Sequence, residues 1–425
     1  MAVVGLTAFR VAGGESTPAG FEAAGSIEII DQLQLPHSIR WEAVATIDEA
    51  FDAIKTMKIR GAPAIASLAA LGIASELLLL LAHKPSASFP VSSLATPTAF
   101  LSVLLSRTAY LLTSRPTAVN LLEALTRIEV EANRSVGDGQ NAEQVARRVV
   151  DVAVGVWSED KERNKRIGDN GAAWILAKLE GEGTIKKGEK ICVLTVCNTG
   201  SLATSGYGTA LGVIASLQEQ GRLEHAYYAQ TGPYQQGARL TSMELASLGT
   251  NNTMVCDTAI GALIAEKRVH LFVAGADRIA ANGDTANKIS TYQISLLCSS
   301  PHPFSPNPPI PVLIAAPITT LDLAMDSGRS IVIEQRPSWE ACTVRGRVVD
   351  VDAMARSGGL LPESDGKEID VQTVLVTPPN TRAWNPAFDV TPASLIAGIV
   401  TEVGVAKKVA SGEYDLKSFV AKGGN

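Results

Sequence analysis

Two residues that can transfer protons each stand close behind a short apolar segment. Cys197 follows residues 191–196, and Asp277 follows residues 269–274 after one glycine and one alanine. Segments of this length and apolarity, bounded by loop residues, predict buried strands of a sheet. Because ligands of open α/β sheets bind at the carboxyl ends of strands, we expect the thiol and the carboxylate to face one crevice. Such a pair can carry acid–base chemistry on a bound ligand.

Both residues also have an ordinary structural interpretation. A single cysteine at a strand end is more often a buried apolar side chain, and Cys192 in the same segment is expected to be one. An aspartate next to an arginine, as Asp277 is next to Arg278, is commonly a loop cap or an ion-pair partner. The loop after Cys197 favours the functional interpretation, since its amides and a following helix N-terminus would favour a thiolate.

The same loop resembles a dinucleotide-binding turn, but its details argue against that function. Gly206, Gly208 and Gly212 are spaced one residue wider than the fingerprint requires. The next predicted strand ends at Gln230 rather than at the acidic residue that binds ribose hydroxyl groups. The five histidines show no paired spacing, and acidic residues form no cluster typical of a metal site. We therefore predict no cofactor and no metal.

Two arginines at predicted helix starts indicate a phosphate-binding site. Arg60 precedes Gly61, Ala62 and Pro63, where proline marks a helix start and glycine lets the backbone approach a ligand. Arg115 precedes a proline in the same way. Each motif alone is more often a solvated arginine at a helix entry, but together they favour a phosphorylated substrate.

A third motif of this kind follows Asp277. Asp284 or Thr285 is expected to cap a helix whose first turns carry Asn287 and Lys288. An amide donor, an ammonium group and the helix dipole would then hold an anion together.

The composition limits the classes of function. The chain of 425 residues is long for one hydrophobic core, so we expect two domains. A net charge of −6, without a basic cluster, argues against a nucleic-acid partner and favours a small substrate. Five unpaired cysteines fit a reducing compartment, and the N-terminus lacks the features of a signal peptide. The apolar stretch 62–82 contains a glutamate and is predicted to be a core helix rather than a membrane span.

The predicted fold class is α/β, with a change of pattern before residue 190. Residues 1–155 are predicted to form a smaller, mostly helical N-terminal domain with a short β element at 27–33. Its predicted helices cover 46–57, 62–82, 100–113 and 116–133, followed by a long helix capped by Asn141. Residues 156–425 are predicted to form a Rossmann-like domain with a mostly parallel sheet. Its predicted strands cover 191–196, 225–229, 253–256, 269–274, 312–315 and 330–334.

Several motifs in this chain occur together in one known family. They are Arg60 to Ala64, Ser114 to Asn120, Cys197 to Thr204, Gly275 to Arg278, Asn282 to Lys288 and Trp384 to Pro392. The set resembles the methylthioribose-1-phosphate isomerases, and the resemblance runs from Leu33 to about Thr401. The same family includes regulatory subunits of the translation-initiation guanine-nucleotide exchange factor.

The resemblance implies an aldose–ketose isomerase of methionine salvage, which converts 5-methylthioribose 1-phosphate to 5-methylthioribulose 1-phosphate. It implies Asp277 as the acid for ring opening and Cys197 in hydrogen transfer between C2 and C1. The substrate-binding positions that it implies are Arg60, Gly61, Ala62, Arg115, Gln236, Asn287 and Lys288. It also implies a homodimer of cytoplasmic location, with the nucleus left open as a second location, and neither nucleic acid nor membrane as partner.

Two other functions stay open at this point. A ribose-1,5-bisphosphate isomerase would need a second cationic subsite, which the sequence does not locate. A regulatory subunit would bind partners without catalysis and is not expected to keep both Cys197 and Asp277. A direct hydride shift, with Cys197 only polarising the site, also stays open. The chain departs from many family members at Gln230 and Gly232, where those carry glutamate and arginine, so the contacts of this loop stay open as well.

Overall fold

The computed structural model describes residues 6–84, 86–116, 119–300, 307–356, 370–410 and 412–423. Its helices are α1 (Pro18–Ala24), α2 (Ile47–Lys55), α3 (Ala62–Leu81), α4 (Pro97–Leu112), α5 (Val119–Gly137), α6 (Ala142–Gly181), α7 (Ala210–Glu219), α8 (Ser242–Ser247), α9 (Ile260–Glu266), α10 (Thr291–Ser299), α11 (Ser338–Cys342), α12 (Val351–Arg356) and α13 (Leu416–Ala421). Its strands are β1 (Phe9–Val11), β2 (Ile27–Ile30), β3 (Trp41–Val44), β4 (Ile191–Thr195), β5 (Leu223–Ala229), β6 (Asn252–Val255), β7 (Leu271–Ala274), β8 (Arg278–Ala280), β9 (Thr285–Lys288), β10 (Val312–Ala315), β11 (Leu321–Asp322), β12 (Thr343–Arg347), β13 (Val371–Leu375), β14 (Phe388–Thr391), β15 (Gly398–Thr401) and β16 (Gly404–Ala406). Thr117 and Ala118 of the second arginine motif lie outside the described residues.

Helix α3 is the centre of the N-terminal region and contacts α2, α5 and α6. It is long and apolar enough to cross a membrane, but 83% of its most apolar window is buried inside the protein, as a core helix requires. Its one acidic residue, Glu76, is fully buried and accepts hydrogen bonds from the Ile47 amide and the Ser88 hydroxyl. The predicted cap of α6 is confirmed, because Asn141 and Gln144 form a reciprocal capping box. Strands β1, β2 and β3 form the predicted short β element, an antiparallel sheet.

The C-terminal region is built on a seven-stranded sheet in the order β16-β15-β10-β7-β4-β5-β6. All neighbouring pairs are parallel except β15 and β16, which confirms the predicted mostly parallel sheet. Apolar side chains of the sheet pack against α6 and α7 on one face and against α9 and α10 on the other. From β4 the chain adds β5 and β6 on one side and then β7, β10 and β15 on the other. The strand order therefore reverses between β4 and β7, which is where open α/β sheets bind their ligands.

Two predicted elements are wrong. Residues 285–288 form strand β9 rather than the start of a helix, because they pair in antiparallel register with β14, about a hundred residues later in the chain. Residues 330–334 do not form a strand, and only an isolated bridge between Gln335 and Pro386 follows them. This segment instead lies beside Arg115, with which Glu334 forms an ion pair.

The predicted domain boundary at 155/156 falls inside α6, which runs unbroken through it. The apolar cluster of the N-terminal region extends to Trp157, and the cluster on the sheet begins at Ile167. One helix therefore serves both hydrophobic cores, and the division into 1–155 and 156–425 stays a prediction.

Candidate active site

One cavity lies at the carboxyl ends of β4 and β7, where the strand order reverses. These two strands are direct neighbours, with Thr195 opposite Val273. Cys197 follows the first strand and Asp277 follows the second, and both line the cavity. The expectation that the two residues face one crevice is therefore confirmed.

The structure brings all nine residues singled out from the sequence to this cavity. They are Cys197, Asp277, Arg60, Gly61, Ala62, Arg115, Gln236, Asn287 and Lys288. Arg60, Gly61 and Ala62 stand at the start of α3, as the proline signal predicts. Asn287 and Lys288 come from β9 and not from the first turns of a helix, so the predicted helical placement of these two residues is wrong. The roles assigned to the nine residues stay predictions.

Backbone hydrogen bonds hold Cys197 in a conformation that is uncommon for residues other than glycine. Its φ is 71°, in the left-handed region. The Cys197 amide donates to Thr231 Oγ1 at 3.0 Å, and the Thr241 hydroxyl donates to the Cys197 carbonyl at 2.5 Å. The thiol lies 3.8 Å from Gln236 Oε1. A backbone fixed from both sides aims the sulfur into the cavity, and local strain of this kind is typical of functional sites.

Burial, rather than a helix dipole, dominates the protonation of the cysteine. Helix α7 begins only at Ala210, and Cys197 is buried. Desolvation raises the pKa of the Cys197 thiol, while the charges of Lys288 and Arg60 act in the opposite direction. The sequence predicts that the loop favours a thiolate. In the free protein, burial outweighs this effect.

The carboxyl group of Asp277 is suited to act as an acid. Part of its surface is open to the cavity. Desolvation raises its pKa, although Lys288, Arg115 and Arg60 oppose the shift. A carboxyl group that keeps its proton to higher pH than usual can donate it to a substrate oxygen.

Three cations surround this pair. Lys288 is 1% exposed, and burial, followed by the charge of Arg60, lowers its pKa to about 8. Its ammonium group donates to the Ala387 carbonyl at 3.2 Å. Arg115 meets Glu334 at 3.3 Å, while its Nε and Nη1 are buried without a partner. Glu334 balances one of the three cations, and Asp277 tends to be protonated, so an excess of positive charge remains, which favours an anionic ligand.

Tyr234 does not line the cavity but packs against two of its cations, a role that no sequence pattern predicts. Its ring lies 5.1 Å from Cζ of Arg60 and 5.2 Å from Nζ of Lys288, within cation–π range of both. Its hydroxyl donates to Glu340 at 2.5 Å and accepts from Arg336 Nε at 3.1 Å. The negative face of the ring thus lies against two like charges and reduces the cost of bringing them together.

The loop after Cys197 leaves polar groups unsatisfied beside the cavity. Both side-chain atoms of Asn198 and the hydroxyl of Thr199 are buried without hydrogen-bond partners. Glu244 holds the following turn by accepting from the Ser201 amide at 2.5 Å. Buried polar groups are nearly always paired in folded proteins, so this set indicates the place of a polar ligand.

Gly61 allows the close approach of helix α3 to this loop. Its φ is 100°, and a Cβ there would lie 2.2 Å from the Ala203 carbonyl oxygen. Glycine is therefore required for α3 to start against the loop. Within the part of the chain that the structure describes, no three His, Cys, Asp or Glu side chains are grouped so that they could hold a metal ion.

Known proteins share this sequence and fold along nearly their whole length. The initiation factor 2 subunit family matches residues 58–408. A methylthioribose-1-phosphate isomerase of Laccaria bicolor is 47% identical, over 90% of this chain and 94% of its own length. One from Cryptococcus neoformans var. neoformans serotype D is 46% identical, over 92% of this chain and 93% of its own.

Solved structures agree with these relatives. The crystal structure of 5-methylthioribose 1-phosphate isomerase from Pyrococcus horikoshii has a TM-score of 0.72 and 28% identity, covering 99% of this chain and 98% of that one. Subunit delta of the translation initiation factor eIF-2B from A. fulgidus has a TM-score of 0.67 and 29% identity, covering 96% of this chain and 98% of that one. The chain belongs to the initiation factor 2 subunit family and, within it, to the family of the methylthioribose-1-phosphate isomerases.

Proposed function

We propose that this protein converts 5-methylthioribose 1-phosphate to 5-methylthioribulose 1-phosphate, the isomerisation step of methionine salvage. The observation that carries the proposal is a single cavity that combines a buried thiol, a carboxyl of raised pKa and three cations. A sugar phosphate isomerase needs these groups: an acid for the ring, a group that moves hydrogen and a site for the phosphate. The names of the relatives support the same substrate.

The phosphate is held by the cations and by the start of α3. Arg60 and Ala62 belong to this helix start, where backbone amides without intrahelical partners attract anions. Arg115 supplies two unpaired donors, and Lys288 supplies a buried charge. A doubly charged phosphate would neutralise the excess positive charge of the cavity.

Ring opening requires an acid because the phosphate on the anomeric oxygen prevents the free opening of an ordinary aldose. Asp277 gives its proton to the ring oxygen while the bond between that oxygen and C1 breaks. The electron-poor C1 that results is stabilised by its phosphate ester oxygen. Desolvation favours the protonated form of Asp277 before this step.

Hydrogen then moves from C2 to C1. Cys197 acts as a thiolate, which forms by loss of its proton to solvent and which the charges of Lys288 and Arg60 favour against burial. The thiolate takes the proton from C2, an enol forms between C1 and C2, and the thiol returns the proton to C1. The C2 hydroxyl loses its proton to the Asp277 carboxylate, which restores the acid and leaves a ketone. A direct shift of the C2 hydride to C1 gives the same product. Turnover in deuterated water separates the two routes, since only the proton route can bring solvent deuterium to C1.

Phosphorus and proton NMR of the purified protein with 5-methylthioribose 1-phosphate, and separately with ribose 1,5-bisphosphate, tests the substrate. We expect the ketose signals to grow with 5-methylthioribose 1-phosphate and to grow much more slowly with ribose 1,5-bisphosphate. Conversion of the bisphosphate alone would reassign the substrate. An unchanged spectrum with both would favour a binding role like that of the regulatory subunits.

Replacing Arg115 by alanine is expected to weaken substrate binding. Charge-assisted hydrogen bonds contribute about 1.5–3 kcal/mol each, so KM should rise by about tenfold or more. We expect kcat to change by less than about threefold, because Arg115 binds the phosphate in ground and transition state alike. Arg147→Ala, which breaks a surface ion pair with Glu22, is the control. An unchanged KM in Arg115→Ala would remove this residue from the phosphate site.

The dependence of kcat/KM on pH should reveal Lys288. Burial and Arg60 lower its pKa to about 8, so the free enzyme keeps this cation below that pH and loses it above. The phosphate, whose second pKa is about 6, is already a dianion there. We therefore expect kcat/KM to fall above a pH of about 8, although ionisation of Cys197 acts in the opposite direction. Lys288→Arg keeps the charge and should move this fall to higher pH; an identical alkaline limb in both proteins would assign it to another group.

The homodimer and the cytoplasmic or nuclear location stay predictions from the resemblance. Light scattering of the purified protein tests the first, and fluorescence imaging of a tagged chain tests the second.

A further inference from the structure

A second recess adjoins the active-site cavity on the side of Asp277. Ala62, Ile65, Arg115, Asp277 and Phe388 line both spaces, so the two are adjacent and share these walls. Cys197 lines only the first. The recess therefore extends away from the thiol, past the carboxyl group.

The walls that belong to the recess alone are mostly apolar. They come from Pro116 at the second arginine motif, Ala286 on β9, and Ile331 and Val332 in the irregular segment before β12. Val332 is 75% exposed and leaves apolar surface at the edge of the recess. Apolar surface that lines the mouth of a cavity is typical of a place where a ligand covers it.

The chemistry of the proposed reaction fixes the direction of the sugar. C1 and C2 must lie at Cys197, where hydrogen is transferred, and the ring oxygen must lie at Asp277, which protonates it. C4 is bonded to that oxygen and carries C5, so C5 must point beyond Asp277 and away from Cys197. This is the direction of the recess.

We propose that the recess formed by Pro116, Ile331 and Val332 is the subsite for the thioether carried on C5 of the substrate. This inference rests on the proposed isomerase function and adds the recognition of the methylthio group. A thioether is apolar and polarisable, and packs well against proline, isoleucine and valine. Packing of the methylthio group against Val332 removes apolar surface of the ligand and of the protein from water.

The charges of the recess argue against a second phosphate there. Arg278 lines the recess, but its guanidinium is paired with Asp322 at 3.2 Å. Arg115, which is shared with the first cavity, already faces Glu334. A phosphate on C5 would have to lose water against apolar walls, beside Arg278, which is paired with Asp322, and Arg115, which the phosphate on C1 engages. The structure thus favours the thioether over ribose 1,5-bisphosphate.

Substrate selectivity of Val332→Asp tests the subsite. The variant places a carboxylate where the thioether would pack, at an exposed position that does not contribute to the core. Val374→Asp is the matched control, because Val374 is also exposed but lies on β13 and lines neither space. The kcat/KM values are measured for 5-methylthioribose 1-phosphate, ribose 1-phosphate and ribose 1,5-bisphosphate.

We expect Val332→Asp to lower kcat/KM for the methylthio substrate by about tenfold, mainly through KM, since small apolar groups in a pocket contribute about 10–200-fold. The value for ribose 1-phosphate should change by less than about threefold, and Val374→Asp should resemble the wild type with every substrate. The subsite would be overturned if Val332→Asp left the ratio of the kcat/KM values for the two monophosphates unchanged, or if the wild type preferred the bisphosphate. In either case the protein would still be an isomerase. Turnover of none of the three by the wild type would contradict the proposed function itself and the subsite with it.

Discussion

Cys197→Ala should lose isomerase activity, with kcat lower by about 10²–10⁴-fold, the usual contribution of a positioned acid or base. The thiol moves the hydrogen between C2 and C1 in the proposed reaction, and no other cysteine lines the cavity among the described residues. Steady-state turnover of 5-methylthioribose 1-phosphate measures the loss.

The same variant should fold and bind normally. The bonds of Cys197 to Thr231 and Thr241 come from its backbone amide and carbonyl, which alanine retains. Calorimetry should therefore give a substrate Kd within about threefold of the wild type. Cys256→Ala is the matched control, because Cys256 also lies just beyond the end of a strand but is exposed. Turnover by Cys197→Ala at the wild-type rate would show that the thiol does not transfer hydrogen between C2 and C1.

Asp277→Asn should lower kcat to a similar extent, by about 10²–10⁴-fold. Asparagine keeps the shape of the side chain but has no acidic proton for the ring oxygen. Asp277 interacts with the three cations of the site through charge, and burial is the first cause of its raised pKa. Because the protonated carboxyl group is uncharged, its replacement by asparagine leaves the positive charge of the cavity in place.

A phosphate should consequently bind Asp277→Asn at least as tightly as it binds the wild type. The combination of lost turnover with unchanged or tighter substrate Kd separates an acid from a binding residue. Asp326→Asn, at an exposed position, serves as the control and should be indistinguishable from the wild type. Weaker binding in Asp277→Asn, with kcat retained, would be incompatible with the acid role.

The chemistry of the site was predictable where it depends on parallel strands. The apolar runs before Cys197 and Asp277 identified β4 and β7, and the carboxyl ends of neighbouring parallel strands necessarily meet at one edge. Pro63 marked the start of α3 and so placed Arg60 correctly. These signals are local in sequence, and the sheet only brings them together.

The parts that were missed depend on contacts between distant segments. Asp284 to Lys288 reads locally as a helix cap, but β14 supplies a pairing partner that outweighs the local signal. The irregular segment 331–336 brings Glu334 to Arg115 and Arg336 to Tyr234. Hydrophobic periodicity does not predict these contacts. The raised pKa of Cys197 likewise follows from burial in the assembled fold, which a loop sequence does not reveal.

In the proposed function, this cavity isomerises 5-methylthioribose 1-phosphate through Cys197 and Asp277. The most direct measurement is proton NMR of that substrate with the wild type, Cys197→Ala, Asp277→Asn and Cys256→Ala, followed side by side under one condition. We expect the ketose phosphate to accumulate with the wild type and Cys256→Ala and not with Cys197→Ala or Asp277→Asn. Equal conversion by all four proteins, or conversion by none, would contradict this proposal.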